Sequence, residues 1–97
     1  MLNKAQKQYL KGLANTLRSL VQIGKNGLSD NIIASVDEVL TAHEIVKITV
    51  LNTCETDPME LALDIAAATK SQLVSQLGRK IVLYRKNPLK TMIELPR

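Results

Sequence analysis

Aromatic side chains are almost missing from this chain, which has no Trp, no Phe and two tyrosines, Tyr9 and Tyr84. Proteins that read single-stranded nucleic acid by stacking bases use several exposed rings, and two tyrosines cannot furnish that platform. Cysteine is nearly absent too: Cys54 stands alone, so no internal disulfide can form and a reducing compartment is the natural setting. A single histidine, His43, and the lack of any CxxC or HxxxH spacing leave no ligand set for zinc, so no metal or cofactor is expected. No stretch approaches the ~20 apolar residues of a membrane span, and Met1-Leu2-Asn3-Lys4 leads into a polar helical pattern without a secretory core. These absences predict a cytoplasmic protein with no membrane partner.

Catalytic material is equally scarce. His43 and Cys54 could form a thiol-imidazole pair, but no third group that would orient the imidazole is suggested by the sequence. Asp57, Glu60 and Asp64 fall at helical spacing and read better as helix-start and solvated carboxylates than as a cation site. Gly24-Lys25 is followed by Asn26 rather than Ser or Thr and lacks the upstream glycine of a P-loop. The expectation is a non-enzyme without a small-molecule substrate.

What the chain does have is aliphatic residues and segregated charge. Its 97 residues are 45% hydrophobic, which suffices for a modest aliphatic core and predicts one domain over residues 1–97, since two would each be too small to offset chain entropy. Residues 1 to 29 carry Lys4, Lys7, Lys11, Arg18 and Lys25 and no acid, a block of +5. Residues 30 to 64 hold Asp30, Asp37, Glu38, Glu44, Glu55, Asp57, Glu60 and Asp64 against Lys47, a block of −7. Residues 65 to 97 return to +6, which completes the net +4. If the two ends of the chain meet, one side of the molecule is basic and the other acidic.

Periodicity orders the elements. Residues 3 to 19 read as a helix, with Leu10, Leu13 and Leu17 on one stripe and Lys4, Lys7, Lys11 and Arg18 on another. Leu20 to Ile23 is a short buried strand. Ser29 caps a helix to about Ala42 that buries Ile32, Ile33, Val36, Val39 and Leu40. Glu44 to Leu51 alternates as a strand, with Val46, Ile48 and Val50 on one face and Lys47 and Thr49 on the other. After a loop from Asn52 to Asp57, Asp57-Pro58-Met59-Glu60 opens a third helix to about Lys70 through an N-cap, a first-turn proline and an acid. Leu73 to Leu77 and Lys80 to Arg85 are strands joined by Gly78-Arg79 as a hairpin. From Asn87 the tail is expected to run extended. The order α-β-α-β-α-β-β predicts an α/β fold: a mixed four-stranded sheet covered by helices, with parallel neighbours from the strand-helix-strand units and a reversed last strand.

Gly24-Lys25-Asn26-Gly27 joins a strand to a helix. Two glycines three apart let the backbone take positive φ and approach a ligand without Cβ obstruction, and the amides of such a turn form a concave anion site. A plain tight turn calls for the same glycines. Gly-x-x-Gly clamps a nucleic-acid backbone in KH domains, where it joins two helices. Asp30 already occupies the positive end of the following helix, so a phosphate here is expected to be held by loop amides and Lys25. Cations, amides and polar groups without rings suit recognition of backbone and shape in structured RNA.

Three strings in register carry a resemblance: Ile23-Gly24-Lys25-Asn26-Gly27-Leu28; Val39-Leu40-Thr41-Ala42-His43-Glu44 with Ile45-Val46-Lys47-Ile48 after it; and Gly78-Arg79-Lys80-Ile81-Val82-Leu83-Tyr84-Arg85. Together with the leading Leu-x-x-Leu helix and the closing Leu95-Pro96-Arg97, they resemble the CRM domain in its stand-alone bacterial, YhbY-like form. The resemblance implies a fold like the C-terminal domain of translation initiation factor 3 and kinship with plant organelle intron-splicing factors. It implies a ribosome-biogenesis role, through binding of large-subunit ribosomal RNA or its precursor particle. It also implies that Gly24, Lys25, Asn26 and Gly27 contact RNA. Lys47 and Arg85 match family positions, and Lys4, Lys7, Lys11, Arg18 and Arg79 complete the expected basic surface of a monomer. The rival expectation is a protein-interaction module that docks to ribosomal or other proteins through its charged faces.

Overall fold

The computed structural model describes residues 2–89, 91 and 93–96. Its elements follow the predicted order: α1 (Lys4–Ala14), β1 (Val21–Ile23), α2 (Asp30–His43), β2 (Ile45–Val50), α3 (Pro58–Thr69), β3 (Gln72–Leu77) and β4 (Lys80–Tyr84). The four strands form one mixed sheet in the order β1-β2-β4-β3, with β1 parallel to β2 and β4 antiparallel to both of its neighbours. The predicted fold class therefore holds, with one change of order: β2 and β3 point the same way, but β4 lies between them. Burial explains the insertion. Ile81, Val82, Leu83 and Tyr84 are buried on both faces of β4, as a central strand requires, whereas β3 carries Gln72, Ser75 and Gln76 and takes the edge.

Each face of the sheet has its own core. On one, Val46, Ile48 and Val50 of β2 and Ile81 and Leu83 of β4 pack against Val36 and Leu40 of α2 and Leu61 and Ile65 of α3. On the other, Ile45, Val74, Val82 and Tyr84 receive Leu10 and Ala14 of α1, with Ile93 and Leu95 of the tail beside them. Complete burial of Leu10 contributes about 2 kcal/mol to holding α1 there. The charge blocks follow these layers. Neither α2 nor α3 contains Lys or Arg, and both carry acids, while α1 carries Lys4, Lys7 and Lys11 and no acid.

Local chemistry sets the ends. Asn3 and Gln6 form a reciprocal capping box at α1, with Gln6 N donating to Asn3 Oδ1 at 2.8 Å and Asn3 N to Gln6 Oε1 at 3.0 Å. The helix stops at Ala14, five residues short of the predicted end. Thr16 turns both its amide and its hydroxyl to the Leu13 carbonyl, and Leu17 N reaches back only to Ala14, so the last turn tightens and closes. Arg18 thus leaves the helical stripe of Lys4, Lys7 and Lys11. Ser29 caps α2 as expected, accepting from Ile32 N. Asp57 occupies the N-cap of α3, but its side chain makes no cap hydrogen bond, so Pro58 at the first position carries that start. The hairpin turn places Gly78 at φ +58° in the first of two loop positions.

The tail does not simply extend. Leu89 N donates to Asn87 Oδ1, and the fully buried carboxylate of Glu44 accepts from Asn87 N at 2.6 Å and Ile93 N at 2.8 Å. That carboxylate folds the tail back over the α1 side of the sheet. Arg97 of the closing tripeptide lies outside the described residues.

Candidate nucleic-acid interface

Since β1, β2 and β3 run in one direction, their carboxyl ends gather three connections: residues 24–29, residues 51–57 and the Gly78-Arg79 turn. In the first, Gly27 N donates to Gly24 O at 2.9 Å and closes a tight turn with Lys25 and Asn26 exposed at its corners. The amides of Lys25 and Asn26 have no hydrogen-bond partner among the described residues. Gly27 sits at φ +66°, where a side chain is strained. Gly24 does not have positive φ, and a Cβ there would meet Leu51 Cδ1 at 3.6 Å and Thr53 Oγ1 at 3.7 Å, ordinary contacts. Of the two glycines read as conformationally required, only Gly27 is. Leu28 packs on the α2–α3 core and Ser29 caps α2, so the turn is anchored immediately behind Gly27.

Arg79 stands on the other side of Leu51, its Nη1 donating to Leu51 O at 3.1 Å while its own carbonyl accepts from Val50 N. One guanidinium nitrogen is thereby tied to the end of β2, close to the glycine turn. Toward the α1 face lies a polar groove of about 420 Å³ between Lys11, Ala14 and Asn15 of α1 and its cap, Lys47 of β2 and Lys80 of β4. Lys47 Nζ approaches the Ala14 carbonyl at 3.5 Å, a cation at the negative end of α1, so this lysine orders the fold as well as lining the groove. Lys80 donates to Thr49 Oγ1 at 2.9 Å, and Thr49 donates to Ser19 Oγ at 2.7 Å, which ties the segment before β1 to the sheet. Lys80 was not singled out from the sequence; only the pairing of Thr49 with Lys80 across β2 and β4 brings it here.

The structure thus gathers Lys11 and Lys47 in one groove, with Gly24, Lys25, Asn26, Gly27 and Arg79 at the adjoining strand ends. Lys4 and Lys7 lie exposed further back along α1. Two expected cations are elsewhere. Arg18 lies at the opposite end of β1 from the glycine turn, beside His43 and Ile45. Arg85 is engaged internally: Nη1 donates to Asp37 Oδ1 at 2.6 Å and Thr69 O at 2.7 Å, and Nη2 to Asp37 O and Thr41 Oγ1. This fork joins α2 to the end of α3. Tyr84 is buried and offers no stacking face; burial, and then the charge of Glu44, pushes its phenol above the usual value. His43 and Cys54 stand at opposite ends of β2, roughly 20 Å of strand apart, with Cys54 in the core.

The chain is a layered α/β domain with a basic α1 face, acidic helices on the other side of the sheet and a glycine turn at the strand ends. Comparison with known proteins makes the assignment specific. Residues 2–85 match the CRS1 / YhbY (CRM) domain, and the chain belongs to this family. It is 40% identical over 96 residues to "Probable RNA-binding protein YqeI" of Bacillus subtilis, covering 99% of this chain and all of that one. A Haemophilus influenzae protein named "RNA-binding protein" is 35% identical over 96 residues, covering 99% of this chain and 96% of its own length. The solution structure of "the hypothetical protein SAV1595 from Staphylococcus aureus, a putative RNA binding protein" superposes with a TM-score of 0.83 at 41% identity, over 99% of this chain and 100% of that one. No described helix is long and apolar enough to cross a membrane.

Proposed function

We propose that this chain is a non-enzymatic RNA-binding protein that engages structured ribosomal RNA during assembly of the large ribosomal subunit, acting as a cytoplasmic monomer. The observation that carries the reading is the Gly24–Gly27 turn, whose Lys25 and Asn26 amides are unpaired among the described residues and whose Lys25 is exposed, on the same sheet as the groove of Lys11, Lys47 and Lys80. Unpaired amides and lysines suit the phosphates of a folded RNA, and Tyr9 on α1 as the single exposed tyrosine ring is too little for a base-stacking platform. RNA-binding relatives over the full chain length support the same ligand class.

On this reading the contacts are Gly24, Lys25, Asn26, Gly27, Lys11, Lys47, Lys80 and Arg79, continued by Lys7 and Lys4. Arg85 serves the fold instead, and Arg18 lies off the path. Crosslinking in cells, followed by sequencing of the bound RNA, tests the proposal. Enrichment of large-subunit ribosomal RNA and its precursors is expected. Recovery of other RNAs alone would overturn the assembly role, and recovery of none would overturn RNA binding.

A further inference from the structure

At the end of β1 and β2 opposite the glycine turn, the early stop of α1 leaves the connection to β1 standing over an apolar cleft of about 330 Å³. Leu13, Leu17 and Leu20 line one side, and Val39 of α2, Ile45 of β2 and Ile93 of the tail the other. Leu13, Leu17 and Val39 pack on the cores but stay only partly buried, and Leu20 is 60% exposed, so all four present apolar surface outward. Apolar surface collected in a cleft and rimmed by charge marks a recognition site more strongly than scattered leucines do.

Two cations, Arg18 and Lys47, border the cleft together with His43, and no acidic side chain among the described residues lines it. Arg18 is exposed, with no hydrogen-bond or ion-pair partner among the described residues. RNA is a poor occupant, because the walls hold no aromatic ring for stacking and are aliphatic where base edges would need hydrogen bonds. A partner with spaced aliphatic side chains and flanking carboxylates matches both floor and rim.

The geometry points to this cleft as the docking site for an acidic amphipathic helix of a partner protein, its apolar side chains seated between the α1 connection and α2 and its carboxylates beside Arg18. The surface meets the RNA path only at Lys47, which lines both the cleft and the polar groove, and the glycine turn lies at the opposite end of β1 and β2 from the cleft. One chain can therefore hold RNA at one end and a protein at the other.

The test is amide NMR of the full chain titrated with a synthetic Leu/Glu amphipathic peptide of about 16 residues, with a scrambled peptide of equal composition as control. Saturable shifts at Arg18, Leu20, His43 and Ile45 are expected from the amphipathic peptide and not from the scrambled one. Leu20→Glu, at an exposed position, and Arg18→Glu should each weaken the peptide at least about fivefold, while Lys25→Ala should leave it unchanged. Equal binding of the scrambled peptide, loss of binding in Lys25→Ala, or no saturable shift at millimolar peptide would each overturn the proposal. So would an RNA hairpin that shifts these cleft amides directly, which would assign the cleft to RNA.

Discussion

Replacement of Arg85 by Ala separates a fold-holding arginine from an RNA-contacting one, because the two roles move different observables. The guanidinium makes four hydrogen bonds, to the side chain and carbonyl of Asp37, to Thr41 Oγ1 and to Thr69 O. Asp37 is 56% exposed, so its ion pair is screened and contributes no more than ~0.5–1 kcal/mol. The bonds to the two carbonyls and the Thr41 hydroxyl add about 0.5–1 kcal/mol each, less than additively because they share one group. Arg85→Ala should then cost about 2 kcal/mol, a drop of about 1–2 M in the urea midpoint for an m-value near the low end of the range for small proteins. Fluorescence anisotropy with an RNA hairpin, under conditions where the variant stays folded, should show unchanged affinity and salt dependence. A midpoint shift below ~0.3 M, together with a salt slope reduced by about one phosphate contact, would refute the structural assignment of Arg85.

Other substitutions probe the turn, the tail and the sheet. Gly27→Ala, at φ +66°, should cost about 1 kcal/mol or more in thermal or urea unfolding, whereas Gly24→Ala should stay within ~0.5 kcal/mol; equal losses would contradict the turn geometry. Glu44→Gln turns one buried acceptor into a donor facing the amides of Asn87 and Ile93, and should cost about 2–3 kcal/mol and raise hydrogen exchange at both amides. The raised pKa of Tyr84 means that its stabilising contribution is complete below the unfolded value of 10.0 and is lost as pH rises through that value toward the higher folded one. Urea midpoints measured across that window should fall for the wild-type chain and fall less for Tyr84→Phe.

The order and type of every element were legible in the sequence because each strand and helix carries its own period: the β-branched alternation of β2, the one-sided stripe of α2 and the Pro58 start of α3. The order of strands was not. Whether β3 or β4 lies next to β2 depends on which has two apolar faces, and the hairpin reading treats both alike. The end of α1 was misplaced because Leu17 and Arg18 continue the spacing, while the Thr16 bonds that close the helix are a local competition that spacing does not register. At the candidate site, the glycine turn was visible from two residue types. The different needs of Gly24 and Gly27 required φ values, and Lys80 required the β2–β4 register. Arg85 shows the limit most clearly. Its partners Asp37, Thr41 and Thr69 lie 48, 44 and 16 residues away, so a matched arginine carried no sign of what it holds.

The central claim, that the Gly24–Gly27 turn is the phosphate-contacting centre of the RNA surface, is tested most directly by the salt dependence of Lys25→Ala. Lys25 is exposed and its side chain makes no hydrogen bond or ion pair among the described residues, so circular dichroism and the urea midpoint should match the wild-type chain. Titration of a large-subunit ribosomal RNA hairpin at several salt concentrations should show weaker binding, with the slope of log K against log salt flattened by about 0.7–0.9 for one lost phosphate contact. Unchanged affinity and slope in a folded Lys25→Ala chain would contradict the account and remove the turn from the site.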